Sequence, residues 1–318
     1  MAEAQIPDDT TFFFRQLLPG RDIAVDPSNP KERQLFSMAH RMLNCIYLIG
    51  DRATGECIVV DPCWDVEGIK VIVKMQGMRL IGAVATHAHP DHIGGFFPFP
   101  LNHLLQPCRI PGIKELVDDG LKVYIHNSEM KTAVRQTEVS KKGLIPVTHD
   151  QELHVGGVTL KFVHTPGHCP GCVCILVTDA AGKVRGLLSG DTLLPGTFGR
   201  VDLPGANPKA MVQSLKCLAE FPDETVVYPG HYYNRMRLTS IGREKASGYL
   251  NPTHEARLLS AMKPRLAIRI IRPFVSALYP FIQRARLFPI IVLLALLVLL
   301  RLGLYYFLAY MAFAWLMV

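Results

Sequence analysis

Several things are missing from this chain, and each absence narrows its class. The N-terminus offers no secretory leader. Asp8 and Asp9 precede the only apolar cluster there, Phe12-Phe13-Phe14. That cluster is too short for a signal-peptide core and reads as core or edge packing. Internal repeats are absent, and so are low-complexity stretches outside an apolar tail, which excludes repeat architectures. No Gly-x-Ser-x-Gly elbow occurs, so nothing points to a serine nucleophile. No basic stripe interleaved with aromatics runs through residues 1–255, and nucleic acid is therefore not an expected partner. Acidic residues stop at Glu255: from Ala256 onward there are eight Lys or Arg and no Asp or Glu. The formal net charge of +7 on 318 residues thus belongs to the tail, and Met1 to Glu255 carries 26 basic against 27 acidic residues, a net of −1. The eight cysteines are scattered and read as reduced, cytosolic thiols. One pair, Cys169-Pro170-Gly171-Cys172, has redox or zinc-site spacing but no second ligand pair, which favours a structural role.

What is present is concentrated in Thr86-His87-Ala88-His89-Pro90-Asp91-His92. The apolar run Leu80-Ile81-Gly82-Ala83-Val84-Ala85 before it reads as a buried strand. Imidazole nitrogen and carboxylate oxygen are donors that zinc and iron accept. His87 and His89 are two apart, so in extended backbone they project to one side and can grip one ion. Pro90 stops a simple continuation of the strand, leaving Asp91 and His92 to turn toward a second ion. Two ions about 3.5–4 Å apart can share a bridging hydroxide, which is a hydrolytic device. Further donors occur in the same setting, an apolar strand followed by a small or turn-forming residue. They are His168 after Thr165-Pro166-Gly167, Asp191 after Ser189-Gly190, and His231 after Tyr228-Pro229-Gly230. Strands are predicted at 46–49, 58–60, 123–125, 160–163, 173–177 and 226–228. Helices are predicted at 66–75 and at 208–219, the latter capped by Asn207 with Pro208 in its first turn. Residues 96–120, rich in Pro and Gly, read as a loop over the cleft.

His-x-His-x-Asp-His, Thr-Pro-Gly-His, Ser-Gly-Asp-Thr and Tyr-Pro-Gly-His, in this order from 44 to 255, resemble the metallo-β-lactamase fold superfamily, most nearly its glyoxalase II-like hydrolases. The resemblance implies an α/β, four-layer αββα sandwich with the metals in a cleft at one edge. It implies that His87, His89 and His168 hold one ion, that Asp91, His92 and His231 hold the other, and that Asp191 bridges both. The ions would be divalent, zinc first and iron as the alternative. A metal-bound hydroxide, oriented by Asp91, would attack an acyl carbon, making the chain a metal-dependent hydrolase of thioesters. Glyoxalase II holds glutathione with a helical C-terminal domain, for which little room remains after His231, so the acyl group and the thiol stay open. Gly199-Arg200-Val201-Asp202 is similar to a motif of compact glyoxalase II-like proteins and persulfide dioxygenases; Arg200 either clamps a substrate carboxylate or pairs with Asp202. Two rival functions stand beside hydrolysis. One is a persulfide dioxygenase with a single iron on His87, His168 and Asp191. The other is a non-catalytic, membrane-tethered scaffold.

Residues 287–318 are apolar apart from Arg301 and a few tyrosines. At about 1.5 Å per helical residue they exceed the roughly 30 Å hydrocarbon core of a bilayer, and a single C-terminal transmembrane anchor is expected. Residues 256–286 alternate aliphatic residues with seven Lys or Arg and are broken by prolines, which fits a basic segment on an anionic lipid surface. The positive-inside rule then places the catalytic region, residues 1–255, on the cytosolic side.

Overall fold

The computed structural model describes residues 11–96, 109–233, 236–247 and 250. The first sheet contains β1 (Phe12–Leu17), β2 (Ile46–Asp51), β3 (Glu56–Val60), β4 (Arg79–Ala85), β5 (Lys122–His126) and β6 (Leu144–Val147), in that spatial order. The second contains β7 (Glu152–Val155), β8 (Val158–His164), β9 (Val173–Thr178), β10 (Val184–Gly190), β11 (Val226–Pro229) and β12 (Thr239–Ser240), again neighbour to neighbour. Both sheets are mixed. Strands β3, β4, β5 and β6 run parallel, as do β10 and β11. The Phe12-Phe13-Phe14 cluster is the start of the edge strand β1, as its shortness suggested.

The sheets bury one core between them. Tyr47, Ile49, Ile58, Val60 and Val84 from the first meet Leu160, Phe162, Ile175, Val177 and Leu188 from the second. The outer face of the second sheet is covered by α2 (Pro208–Leu218) and α3 (Ile241–Ser247). Met211, Val212, Leu215 and Ile241 pack there on Val163, Cys174, Leu187 and Val227. Every residue of β2 is buried, as expected of a strand covered on both faces. On the first sheet, α1 (Val66–Met75) turns Val66, Ile69 and Val73 inward, the spacing of one helical face. Asp65 caps it through Gly68 N–H at 2.8 Å, and Asn207 caps α2 through Lys209 and Ala210 N–H at 3.0 and 3.2 Å. The layered αββα order and the predicted strands and helices are present.

Of the 96–120 stretch read as a loop, residues 97–108 lie outside the described residues, and the described remainder is a correction. Gly95–Phe96 pairs with Arg109–Ile110, and Ile113–Asp118 is a helix, not loop. The prolines and glycines suggested breaks. The Glu115 carboxylate, however, accepts Gly112 N–H at 2.7 Å and pairs with Arg109, while Ile113 and Leu116 are buried. Among the described residues no helix is long and apolar enough to cross a membrane. The basic segment 256–286 and the expected anchor 287–318 lie outside the described residues.

Candidate metal centre

Each donor group sits just beyond the carboxyl end of a strand. β4 delivers His87 and His89, and the single turn Pro90–Ile93 carries Asp91 and His92. Residue Asp191 follows β10, and His231 lies two residues after β11. His168 lies on the loop between β8 and β9. The two sheets are stitched at this edge by Val173 N–H to Thr86 O (3.0 Å) and Cys45 N–H to Gly230 O (2.8 Å), while Gly230 N–H to Gly190 O (2.8 Å) ties the ends of β10 and β11 within the second sheet. Two glycines permit this closeness. Gly190 has φ of +48°, and a Cβ there would lie 2.8 Å from Thr86; at Gly230 it would lie 2.5 Å from Asp191 Oδ1.

All seven predicted donors converge. His89 Nδ1 lies 3.0 Å from His87 Nε2 and 2.9 Å from His168 Nε2. His231 Nε2 lies 3.2 Å from His92 Nε2 and 3.4 Å from Asp91 Oδ2. Asp191 stands between these two triads. Its Oδ2 is 3.5 Å from His168 Nε2, and its Oδ1 is 3.6 Å from His92 Nε2 and 3.4 Å from His231 Nε2. Three overlapping donor groups result: His87, His89, His168 and Cys169; His87, His92 and Asp191; and Asp91, His92 and His231.

The outer nitrogens of the rings say which inner nitrogens are free to bind. Thr86 Oγ1 donates its only proton to Asp61 Oδ2 (2.7 Å), so it accepts from His87 Nδ1–H at 3.0 Å. His92 Nδ1–H donates to Asp61 Oδ2 at 2.8 Å, His168 Nδ1–H to Arg200 O at 2.7 Å, and His231 Nδ1–H to Met42 O at 2.8 Å. These four rings therefore turn lone pairs at Nε2 inward, His92 and His231 meeting at 3.2 Å and His87 and His168 each meeting His89 Nδ1, at 3.0 and 2.9 Å. Asp191 Oδ1, also buried, has no hydrogen-bond partner. Lone pairs and an orphaned carboxylate oxygen facing one another are held together by a cation, and the donor set of imidazole and carboxylate fits a divalent metal.

The titration behaviour tells the same story. Burial pushes His87 well below the usual imidazole range, and His92 and His89 add to that. His89 falls to about 4, by burial and then by His168. Burial would lower His92 too, but Asp61, Asp191 and Asp91 outweigh it and hold the ring up at about 10. Burial opposes ionisation of Asp191, yet His231 and His92 keep its carboxyl well below the ordinary range. Without a cation, a second proton, on His92 Nε2 in place of the lone pair, stands beside Asp91 and Asp191.

Arg200 forms a two-point ion pair with Asp202, at 2.9 and 3.1 Å, with its side chain largely exposed. Several supporting residues escaped the sequence reading. Asp61 accepts from Thr86 N–H, Thr86 Oγ1 and His92. It ends the apolar strand β3 just as the donors end theirs, so the signal was there. Asn44 donates to Asp91 Oδ2 at 3.3 Å and accepts from Trp64 Nε1 at 2.9 Å. Glu129 accepts from Ala88 N–H (3.2 Å) and Gly171 N–H (2.8 Å), which joins the two loops that carry His87, His89 and His168. Nothing in the sequence announced these last contacts. Of the histidines outside the motifs, His126 and His164 stack on each other at 4.1 Å, a packing arrangement.

The family model of the metallo-beta-lactamase superfamily matches residues 44–231, which holds every donor above. The chain belongs to the metallo-beta-lactamase superfamily. Within it, this member is 31% identical over 201 residues to the "Probable metallo-hydrolase YqgX" of Bacillus subtilis, covering 59% of this chain and 84% of that one. It is 26% identical over 210 residues to "Persulfide dioxygenase ETHE1, mitochondrial" of Homo sapiens, covering 65% and 69%. A crystal structure of a metallo-beta-lactamase from Staphylococcus aureus superposes with a TM-score of 0.61 at 24% identity, over 82% of this chain and 72% of that one, a likeness of fold.

Proposed function

We propose that the chain is a metal-dependent hydrolase of thioesters, glyoxalase II-like in its chemistry, with two divalent ions at the sheet edge. The observation that carries this reading is Asp191, whose two carboxylate oxygens face different histidine clusters, one of them without any hydrogen bond. When bound, such ions lower the pKa of water and polarise an acyl oxygen. The chain's own residues do the rest. His87, His89 and His168 form one triad of donors, and Asp91, His92 and His231 the other. Asp91 is fixed by Asn44 and by Cys63, whose thiol donates to the Asp91 carbonyl at 2.6 Å, and so presents a carboxylate of defined direction to the reacting water. Arg200, steadied by Asp202 and exposed, is the proposed anchor for an anionic part of the substrate.

A second reading has support of its own, in the persulfide dioxygenase relative. One iron on His87, His168 and Asp191 would suffice for that chemistry and would leave the triad of Asp91, His92 and His231 idle. That triad is built with its own supporting bonds from Asp61, Asn44 and Met42, which favours hydrolysis. The test is metal analysis of the purified full chain, together with turnover of acyl thioesters, lactoylglutathione included, and oxygen uptake on glutathione persulfide. About two zinc per chain with thioester turnover is expected. One iron per chain with oxygen uptake refutes the hydrolase, and full metal loading with no turnover of either substrate class returns the chain to the scaffold reading.

We further propose that residues 287–318 anchor the protein in a membrane, with the catalytic domain facing the cytosol. The apolar length of that segment and the basic, acid-free stretch before it support this. Protease added to sealed vesicles with their cytosolic face outward should cleave the catalytic domain away, and protection of the domain refutes the orientation.

A further inference from the structure

Four of the five imidazoles at the centre have their outer nitrogen held by oxygen: a hydroxyl (Thr86), a carboxylate (Asp61) and two backbone carbonyls (Arg200 and Met42). The fifth does not. His89 turns Nδ1 inward, and its outer nitrogen, Nε2, lies 3.3 Å from the sulfur of Cys169. Cys169 is buried, and its own backbone N–H donates to Cys172 Sγ at 3.2 Å, so the Cys-Pro-Gly-Cys turn fixes where the first sulfur sits. The same turn is tied to the His87–His89 loop through Glu129, which accepts from both Gly171 and Ala88. A side chain at Gly171 would meet Glu129 Cγ at 2.6 Å, so the turn packs tightly on the residue that bridges to that loop.

We propose that Cys169 is a positioning residue for the metal centre, its sulfur accepting the Nε2 proton of His89 and so keeping Nδ1 free and aimed at the ion shared with His87 and His168. This rests on the metal-centre reading above. The proton logic requires a partner at this place. Because the Nδ1 protons of His87 and His168 are taken by Thr86 and Arg200, their inner nitrogens are bare. His89 can join them around a cation only with its own proton on the far side. Sulfur is the acceptor there. Outer partners of this kind change metal affinity about 10–100-fold when removed. The motif set accounts for His168 but not for the thiol next to it, and this assignment gives the first half of the Cys-x-x-Cys pair a role.

The test uses the full chain, stripped of metal and titrated with cobalt(II) against a chelator of known affinity. Cys169→Val fills the space, excludes water and offers no acceptor. It should weaken one of the two sites about 10–100-fold and leave the other within twofold. Cys169→Ser, which restores an acceptor, should recover most of that loss. The wild-type cobalt protein should show no sulfur-to-cobalt charge-transfer band in the near ultraviolet. Unchanged affinity in a folded Cys169→Val protein overturns the proposal. So does a charge-transfer band that disappears in Cys169→Ser, because the sulfur would then be a ligand and not a partner of His89. The wild-type spectrum decides even if the valine variant fails to fold. If wild-type protein binds no cobalt at all, the metal-centre reading itself fails, a result distinct from both.

Discussion

Replacing Asp61 by Asn keeps the shape of the side chain and removes one acceptor position. The carboxylate of Asp61 accepts three hydrogen bonds, from Thr86 N–H, Thr86 Oγ1–H and His92 Nδ1–H, at 2.7, 2.7 and 2.8 Å. An amide can satisfy only one side. If its NH₂ faces His92 and Thr86 Oγ1, two donors meet, and His92 must move its proton to Nε2, where it points into the centre. With the amide turned the other way, its NH₂ opposes Thr86 N–H. Either orientation leaves a buried donor unsatisfied, a cost of about 1–3 kcal/mol, which for a domain of this size lowers Tm by roughly 2–12 °C. The effect on metal should be larger than a bystander's. His92 loses its fixed tautomer and His87, through Thr86, its orientation, so affinity is expected to fall about 10–100-fold, or about 1.4–2.7 kcal/mol. Chelator competition on the stripped protein measures this directly, with the melting curve recorded in parallel. Affinity within twofold of the parent, alongside a lowered Tm, would show that Asp61 only supports the fold and would refute the argument from tautomers.

Three further outcomes are expected. Asp191→Ala should abolish both metal loading and turnover, because it removes the one group that faces both triads; metal analysis and activity read this, and surviving activity sinks the two-ion mechanism. Metal uptake should release protons near neutral pH and tighten as pH rises, since His92, held at about 10, must give up its proton to bind. A calorimetric titration in buffers of different ionisation heat measures the release, and zero release contradicts the assignment. The metal-free fold should lose stability on acidification between pH 6.5 and about 4. His126, held down to about 4 by burial and then by His164, stays neutral there while the unfolded chain takes up the proton. The contribution is at most about 3 kcal/mol, absent above pH 6.5 and complete below 4. His126→Gln should flatten that slope in denaturant titrations at several pH values, and an unaltered slope refutes it.

The sequence by itself determined the strands that lead to the candidate donors, those donors and the family they resemble, because each donor follows its strand within a few residues and that grammar is local; the edge strands Phe12–Leu17, Leu144–Val147, Glu152–Val155 and Thr239–Ser240 were not legible in it. His87, His89, Asp91 and His92 could be read from one loop, and His168, Asp191 and His231 from three turns of the same kind. It also determined the charge division between residues 1–255 and the tail, which is a matter of counting. Only the tertiary structure decided how the donors are held. The partners of His168 and His231 are main-chain carbonyls of Arg200 and Met42, and a carbonyl leaves no trace in a residue's identity. Asp61 reaches His92 across 31 residues of sequence because β3 and β4 lie side by side and parallel in one sheet, and Cys169 reaches His89 across 80 because the two sheets close on one another at that edge. Local chemistry names the candidate donors. The packing of the sheets chooses which nitrogen of each ring turns inward.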